Sequence, residues 1–249
     1  IYTQAYTLSL HDALPISYRS WGFADFGNQA LQKLQNQKRT MKINPLLLIS
    51  GLLLAFSCNP KTESTQSPLE LPFLGERYVD ENQDTVYHQI ADFSFINQAG
   101  DTISSEDVEG KVYVADFFFT TCPTICPIMK KEMLRVYEKY QGNSDFMILS
   151  HSIDPTHDTQ EVLKDYAEKL GIEDTKTWNF LTGDQEKIFE IGQTSYLTTA
   201  MADQAEPGGF LHSGAFLLVD QKGRIRGVYD GTKSDQVDRL LNDIPKLLK

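Results

Sequence analysis

The stretch "KVYVADFFFTTCPTICP", residues 111–127, decides how the chain is read. Lys111 to Phe119 is a nearly unbroken β-branched and aromatic run, the pattern of a strand buried on both faces. From Thr124 the period changes. Ile125, Ile128, Met129, Met133, Val136, Tyr137 and Tyr140 recur at helical spacing and stop before Gly142. Cys122 and Cys126, two of the chain's 3 cysteines, fall at the join, each followed by proline. Pro123 suits a first helical position because it has no N–H to lose there, so Cys122 is expected at the cap with Cys126 a turn further on. Residues four apart share a helix face, and the positive end of the helix favours thiolate, so both sulfurs are expected on one exposed side. Two such thiolates make a soft-metal site or an easily formed disulfide, and the spacing alone does not choose between them. The bland alternatives are a pair of small buried hydrophobes and a structural disulfide in an exported domain.

Outward from this stretch, strand and helix patterns alternate. "DFSFINQAGDTIS" (92–104) reads as a hairpin and "DFMILSHSID" (145–154) as a second buried strand. Thr159 to Leu170 is an amphipathic helix closed by Gly171, "TWNFLTG" (177–183) a short strand, and Asp184 the cap of a helix to about Ile191. "GAFLLVDQKGRIRGVYDG" (214–231) is a hairpin turning at Asp220 to Gly223, and Ser234 is expected to cap a last helix with Val237, Leu240, Leu241 and Ile244 facing inward. The order predicts an α/β protein with a mixed central sheet flanked by helices and an N-terminal β-hairpin, which a thioredoxin-like fold satisfies. That fold places active thiols where the first central strand turns into its helix.

The chain's 249 residues carry 41% hydrophobic and 23% charged side chains, enough to bury one core of ordinary size with appendages. With 23 Lys+Arg against 34 Asp+Glu the net charge is −11, which argues against a nucleic-acid partner because no basic patch releases counterions from phosphate. Met41 opens "MKINPLLLISGLLLAFSC" (41–58), with a basic Lys42 and an apolar run from Leu46 to Phe56. The run is shorter than the roughly 20 residues a bilayer span needs and has the length of a signal-peptide core. Ser57 before Cys58 matches a bacterial lipoprotein signal, in which that cysteine is acylated, although Ala55 stands where a larger aliphatic residue is usual. The other readings of this run are a plain secretory signal or a buried helix. Residues 1–40, with "TLSLHDALPIS" (7–17) resembling translated adapter read-through, are set aside as extraneous, His11 with them. Residues 59–75, rich in Ser, Thr, Pro and Glu, read as a solvated tether to a domain over 76–249. The arrangement predicts an extracytoplasmic protein held to a membrane by lipid.

In "GGFLHSGAFLLVD" (208–220), His212 follows a Gly-Gly loop and precedes the hairpin strand expected beside the central strand. A lone histidine is more often structural or solvated, but this loop can carry an imidazole to the thiols. Two thiolates and one imidazole suit copper, since thiolate holds Cu(I) and imidazole also accepts Cu(II).

Cys122-Pro-Thr-Ile-Cys126-Pro, "SIDPTHDT" (152–159) and His212 ahead of "FLLVD" come in an order that resembles the Sco/SenC family of membrane-tethered, copper-binding, thioredoxin-like proteins, over about Ile90 to Lys249. The resemblance implies Cys122, Cys126 and His212 as copper ligands. It implies delivery of copper to the dinuclear copper centre of a haem-copper (cytochrome c) oxidase subunit, or reduction of that centre's cysteines, or both. A copper donor or thiol reductant is then a further partner, and Cys122–Cys126 the disulfide of the oxidised form. Thr124 departs from the family, which often has an acid there, and this bears on metal affinity more than on fold. Asp154 stands where the family has an aspartate near the site, to orient His212 or meet the partner; a turn-capping role before Pro155 is the plain alternative. His151 and His157 read as structural or solvated, each placed to shift a proton near the metal. His88, before the domain, receives no role.

The rival reading is an enzyme, either a thiol-disulfide oxidoreductase using the same cysteines or a peroxiredoxin-type peroxidase. The peroxidase loop has threonine three residues before its cysteine, where this chain has Phe119.

Overall fold

The computed structural model describes residues 70–172 and 174–248. Cys58, the signal-like run and residues 59–69 of the expected tether lie outside them. In chain order the elements are β1 (Arg77–Val79), β2 (Thr85–Tyr87), β3 (Ser94–Asn97), β4 (Thr102–Ser104), α1 (Ser105–Val108), β5 (Val112–Phe118), α2 (Cys126–Tyr140), β6 (Phe146–Ser152) and α3 (Gln160–Lys169). There follow β7 (Trp178–Thr182), α4 (Gln185–Glu190) with a π-turn (Ile191–Ser195), β8 (Ala200–Ala202), β9 (Phe210–His212), β10 (Ala215–Val219), β11 (Ile225–Asp230) and α5 (Ser234–Leu247).

Among the described residues the main sheet runs β11-β10-β5-β6-β7-β3-β4. The central strands β5, β6 and β7 are parallel, and the β10–β11 and β3–β4 hairpins join antiparallel at either side. Every residue of β5 and β6 is buried, as a sheet covered on both faces requires. This is the mixed, helix-flanked α/β architecture read from the sequence, with its hairpin before the first central strand. Met129, Met133, Val136, Tyr137 and Tyr140 form the buried stripe of α2, while Ile128, on the same predicted period, is 48% exposed. Thr159 caps α3 by accepting from Val162 N–H at 3.4 Å, and Asp184 caps α4 by accepting from Lys187 N–H at 3.0 Å.

Several local expectations change. Pro123 is not helical: α2 begins at Cys126, with Ile125 at the cap and Pro127 inside the first turn, where its missing N–H is equally harmless. Ser234 is the first residue of α5 rather than its cap, which is Lys233 without a side-chain bond. Part of the expected tether is also packed: Leu74 N–H donates to Ile225 O at 2.9 Å, and Arg226 donates to the carbonyls of Leu71 and Pro72. Phe73 lies under both Arg224 and Arg226, 4.6 and 4.0 Å from its ring centre. The β1–β2 hairpin, α1, the π-turn and the β8–β9 hairpin have no counterpart in the sequence reading. His88, given no role, bonds through Nε2 to the Ser195 carbonyl at 2.6 Å and ties the segment after β2 to the π-turn.

Candidate metal and thiol centre

β5 ends at Phe118, and the chain then makes a tight turn closed by Cys122 N–H to Phe119 O at 3.2 Å. Cys122 therefore lies in a loop and Cys126 at the first position of α2. Both are buried, 7% and 3% exposed, rather than on an open helix face. From the other side comes β9, whose last residue is His212, paired with Ala200 of β8. His212 Nε2 is 3.8 Å from Cys122 Sγ and 3.3 Å from Cys126 Sγ. The three ligand atoms all lie within 4.8 Å of one another. Bonds of about 2.0–2.3 Å from sulfur and nitrogen to one ion span such a triangle.

The ring orientation fits the same use. His212 Nδ1 is 3.2 Å from the Ser213 carbonyl. A proton on Nδ1 donates there and leaves the Nε2 lone pair for an ion, the arrangement of a ligating imidazole; in the metal-free site an Nε2–H instead donates to the Cys122 sulfur. Phe119 closes edge-on against the ring at 5.7 Å and also meets Phe210 at 5.3 Å. Gly208 explains the Gly-Gly loop. Its φ is +92°, and a Cβ there would come within 2.7 Å of the Phe119 ring, so only glycine brings this loop down over the centre.

The two thiols are unlike. Burial opposes ionisation of Cys122, but the bond with His212 and the backbone N–H groups of Thr124 and Cys126 outweigh it and hold this thiol down to about 6. The Thr124 hydroxyl, 3.6 Å from the sulfur, acts in the same sense. Burial pushes the Cys126 thiol up, against the Phe119 backbone and the Lys130 ammonium, which favour its thiolate. Lys130 is itself buried and paired with Asp116 at 2.8 Å, with Ser150 at 3.2 Å and the Phe118 ring 4.0 Å away. This network underlies the first turn of α2.

Asp154 does not orient His212, whose free nitrogen meets Ser213. Asp154 works through its backbone: its N–H donates to Ser152 Oγ at 3.2 Å, and its carbonyl accepts from His157 and Asp158 at 3.1 and 2.8 Å. The buried carboxylate of this segment is Asp158, which the sequence reading passed over. His157 is exposed and bonds Asp158 at 3.0 Å. His151 is fully buried among Phe95, Phe117 and Tyr196, and neither ring nitrogen has a hydrogen-bond partner.

Fold and centre together define a thioredoxin-like protein with a buried site of two sulfurs and one nitrogen. A family model described as SCO1/SenC matches residues 81–249. The chain is 32% identical over 199 residues to the SCO1 protein homolog of Bacillus subtilis (strain 168), across 79% of this chain and 93% of that one. It is similar to the crystal structure of a SCO1/SenC family lipoprotein from Bacillus anthracis str. Ames, with TM-score 0.59, 32% identity, and coverage of 65% of this chain and 96% of that one. It is also similar to BsSco, described as a member of the Sco family of cytochrome c oxidase assembly proteins with a disulfide switch, at TM-score 0.57, 32% identity, and 65% and 95% coverage. The chain belongs to the SCO1/SenC family.

Proposed function

We propose that this protein carries one copper ion on Cys122, Cys126 and His212 and serves the assembly of the dinuclear copper centre of a haem-copper oxidase. The convergence of three metal-ligating atoms within 4.8 Å in a buried pocket carries the reading. Two sulfurs and one imidazole favour a soft ion that cycles between Cu(I) and Cu(II). Oxidase assembly is what BsSco is described as doing. The same reading places the protein outside the cytoplasm, anchored through an acylated Cys58. Its support is the apolar run ending in Ser57-Cys58 and the lipoprotein character of the Bacillus anthracis relative.

The unequal thiols favour a second activity of the same centre. Cys122, ionised at neutral pH, attacks one sulfur of a client disulfide; the client's other sulfur leaves as thiolate and takes a proton. Cys126 then gives up its proton and attacks Cys122 Sγ, releasing the client's second thiol. Two electrons pass to the client and the Cys122–Cys126 disulfide remains. Anaerobic titration of the reduced domain with Cu(I), read by X-ray absorption, tests the primary reading. One copper with two sulfur neighbours and one nitrogen is expected; a copper without sulfur neighbours, or no tight copper, would remove it.

A further inference from the structure

We propose that Asp158 is the positioning residue of this centre: through Thr120 it fixes the turn that serves both sulfurs. The inference rests on the reading of Cys122, Cys126 and His212 as the working site.

Asp158 is fully buried at the ends of two parallel strands. Its carboxylate accepts from Thr120 N–H at 3.0 Å, Thr120 O–H at 2.5 Å, Ser152 O–H at 2.6 Å and His157 Nδ1 at 3.0 Å. Ser152 is the last residue of β6 and pairs in register with Phe118, the last of β5. Ile153 N–H donates to Phe118 O at 2.9 Å, so the strand ends are already joined without this carboxylate. Among the described residues no Lys or Arg pairs with Asp158. Burying a carboxylate costs several kcal/mol unless its lone pairs are filled, and here donors from three residues fill them.

What those donors fix is the turn Phe119–Cys122. Thr120 is its second residue, and its N–H and hydroxyl both end on one carboxylate, which sets the direction of the peptides on either side. The Phe119 backbone bonds the Cys126 sulfur. Cys122, at the other end, must reach the N–H groups of Thr124 and Cys126 and stop 3.8 Å from His212 Nε2. Thr121, Pro123 and Thr124 are exposed and offer no comparable anchor. Asp158 thus touches neither sulfur, yet holds the backbone that addresses both.

The test uses Thr120→Val, Thr120→Ser and Asp158→Asn in the reduced protein. Thr120→Val keeps the shape and the backbone N–H and removes one hydroxyl donor. Asp158→Asn keeps the size and puts an amide donor where only acceptors fit. Two rates are read: loss of Cu(I) to a chromophoric chelator, and alkylation of Cys122 by iodoacetamide without metal. Asp158→Asn is expected to speed copper loss by about 10- to 100-fold, the range for groups that orient ligands from behind. Thr120→Val is expected to give a smaller acceleration, both variants to alter the alkylation rate, and Thr120→Ser to restore both rates. Variants that melt lower but keep wild-type rates would overturn the proposal, because a merely structural carboxylate changes stability alone. If Asp158→Asn does not fold, Thr120→Val against Thr120→Ser decides. If the wild type holds no copper, the copper reading falls, and alkylation still judges Asp158: a changed rate restored by serine supports it, an unchanged one overturns it.

Discussion

Cys122 and Cys126 hang from β5 and α2, where every residue of the strand is buried and the helix packs a continuous apolar stripe. His212 ends β9, half of a separate two-stranded unit with three-residue strands that is not part of the main sheet. The sulfur donors share the stability of the core. The nitrogen donor belongs to a small element outside that sheet, tied to its surroundings by Phe119 against Phe210 and His212 and by Gln193 Nε2–H donating to Ala200 O at 2.8 Å. Local opening is cheapest where buried contacts are fewest. The difference lets the two kinds of donor be tested separately, the sulfurs with the main sheet and the imidazole with the small hairpin.

The comparison breaks most directly at the sulfurs. Cys122→Ser should abolish tight copper retention and all attack on a small disulfide, whereas Cys126→Ser should abolish tight copper retention and leave the Cys122 mixed disulfide trapped and unresolved, measured by chelator competition and by mixed-disulfide trapping. Tight copper in either variant, or complete exchange in Cys126→Ser, would show that the two sulfurs do not act as one unit.

The core beneath the sulfurs can be tested through His151. Burial holds its imidazole down to about 4, below the ordinary histidine value of 6.5, and Phe117 stacks on it at 4.9 Å. A histidine whose folded pKa is depressed contributes stability that is complete above the unfolded value and is lost as pH falls toward the folded one. Between pH 6.5 and 4 that loss is about 3 kcal/mol. Since neither nitrogen has a partner, His151→Phe should fold at pH 7 and lose less stability than wild type over that window in urea titrations. Equal acid losses in the two proteins would mean that His151 is charged in the core or reached by water. On the imidazole side, Gly208→Ala forces an alanine to φ +92° against Phe119, a strain of about 1–3 kcal/mol. Copper loss should quicken, while the melting temperature should fall by only a few degrees, on the scale of about 2–4 °C per kcal/mol for a domain of this size. A large melting shift with unchanged copper loss would place the hairpin inside the cooperative core.

The same contrast governs what could be read before folding. β5 and α2 announce themselves because seven consecutive buried residues and a long helical stripe leave a strong periodic signal. A three-residue strand has no period to detect, so β8 and β9 leave no signal in the sequence, and His212 is marked only by its glycines and the strand after it. Within "SIDPTHDT" the sequence offers Asp154 and Asp158 alike. Which one turns inward depends on the turn closed by the Asp154 carbonyl, and no residue type encodes that. The choice between Pro123 and Pro127 as the helix start is equally open locally. In the fold the loop runs on to Ile125, and the backbone N–H groups of Thr124 and Cys126 both favour the Cys122 thiolate.

His212→Ala should have the smallest effect and separates the two chemistries. Removing the imidazole leaves two sulfurs, enough for Cu(I) but poor for Cu(II), so copper retention should fall by at least about tenfold, roughly 1.4 kcal/mol, and the Cu(II) spectrum should change. Exchange needs only the sulfurs, but His212 also helps to hold the Cys122 thiol down to about 6. Without it that thiol moves up toward the ordinary cysteine value near 8.5. The thiolate fraction, and with it the exchange rate, therefore drops most near neutral pH. Above the ordinary value, where Cys122 is ionised with or without its partner, the variant should match wild type. The copper deficit has no such recovery, because a missing ligand is missing at every pH. Exchange that stays slow at high pH would mean that the imidazole places the sulfur rather than ionising it. Copper retention unchanged at all pH would leave His212 outside the metal site and favour the exchange enzyme.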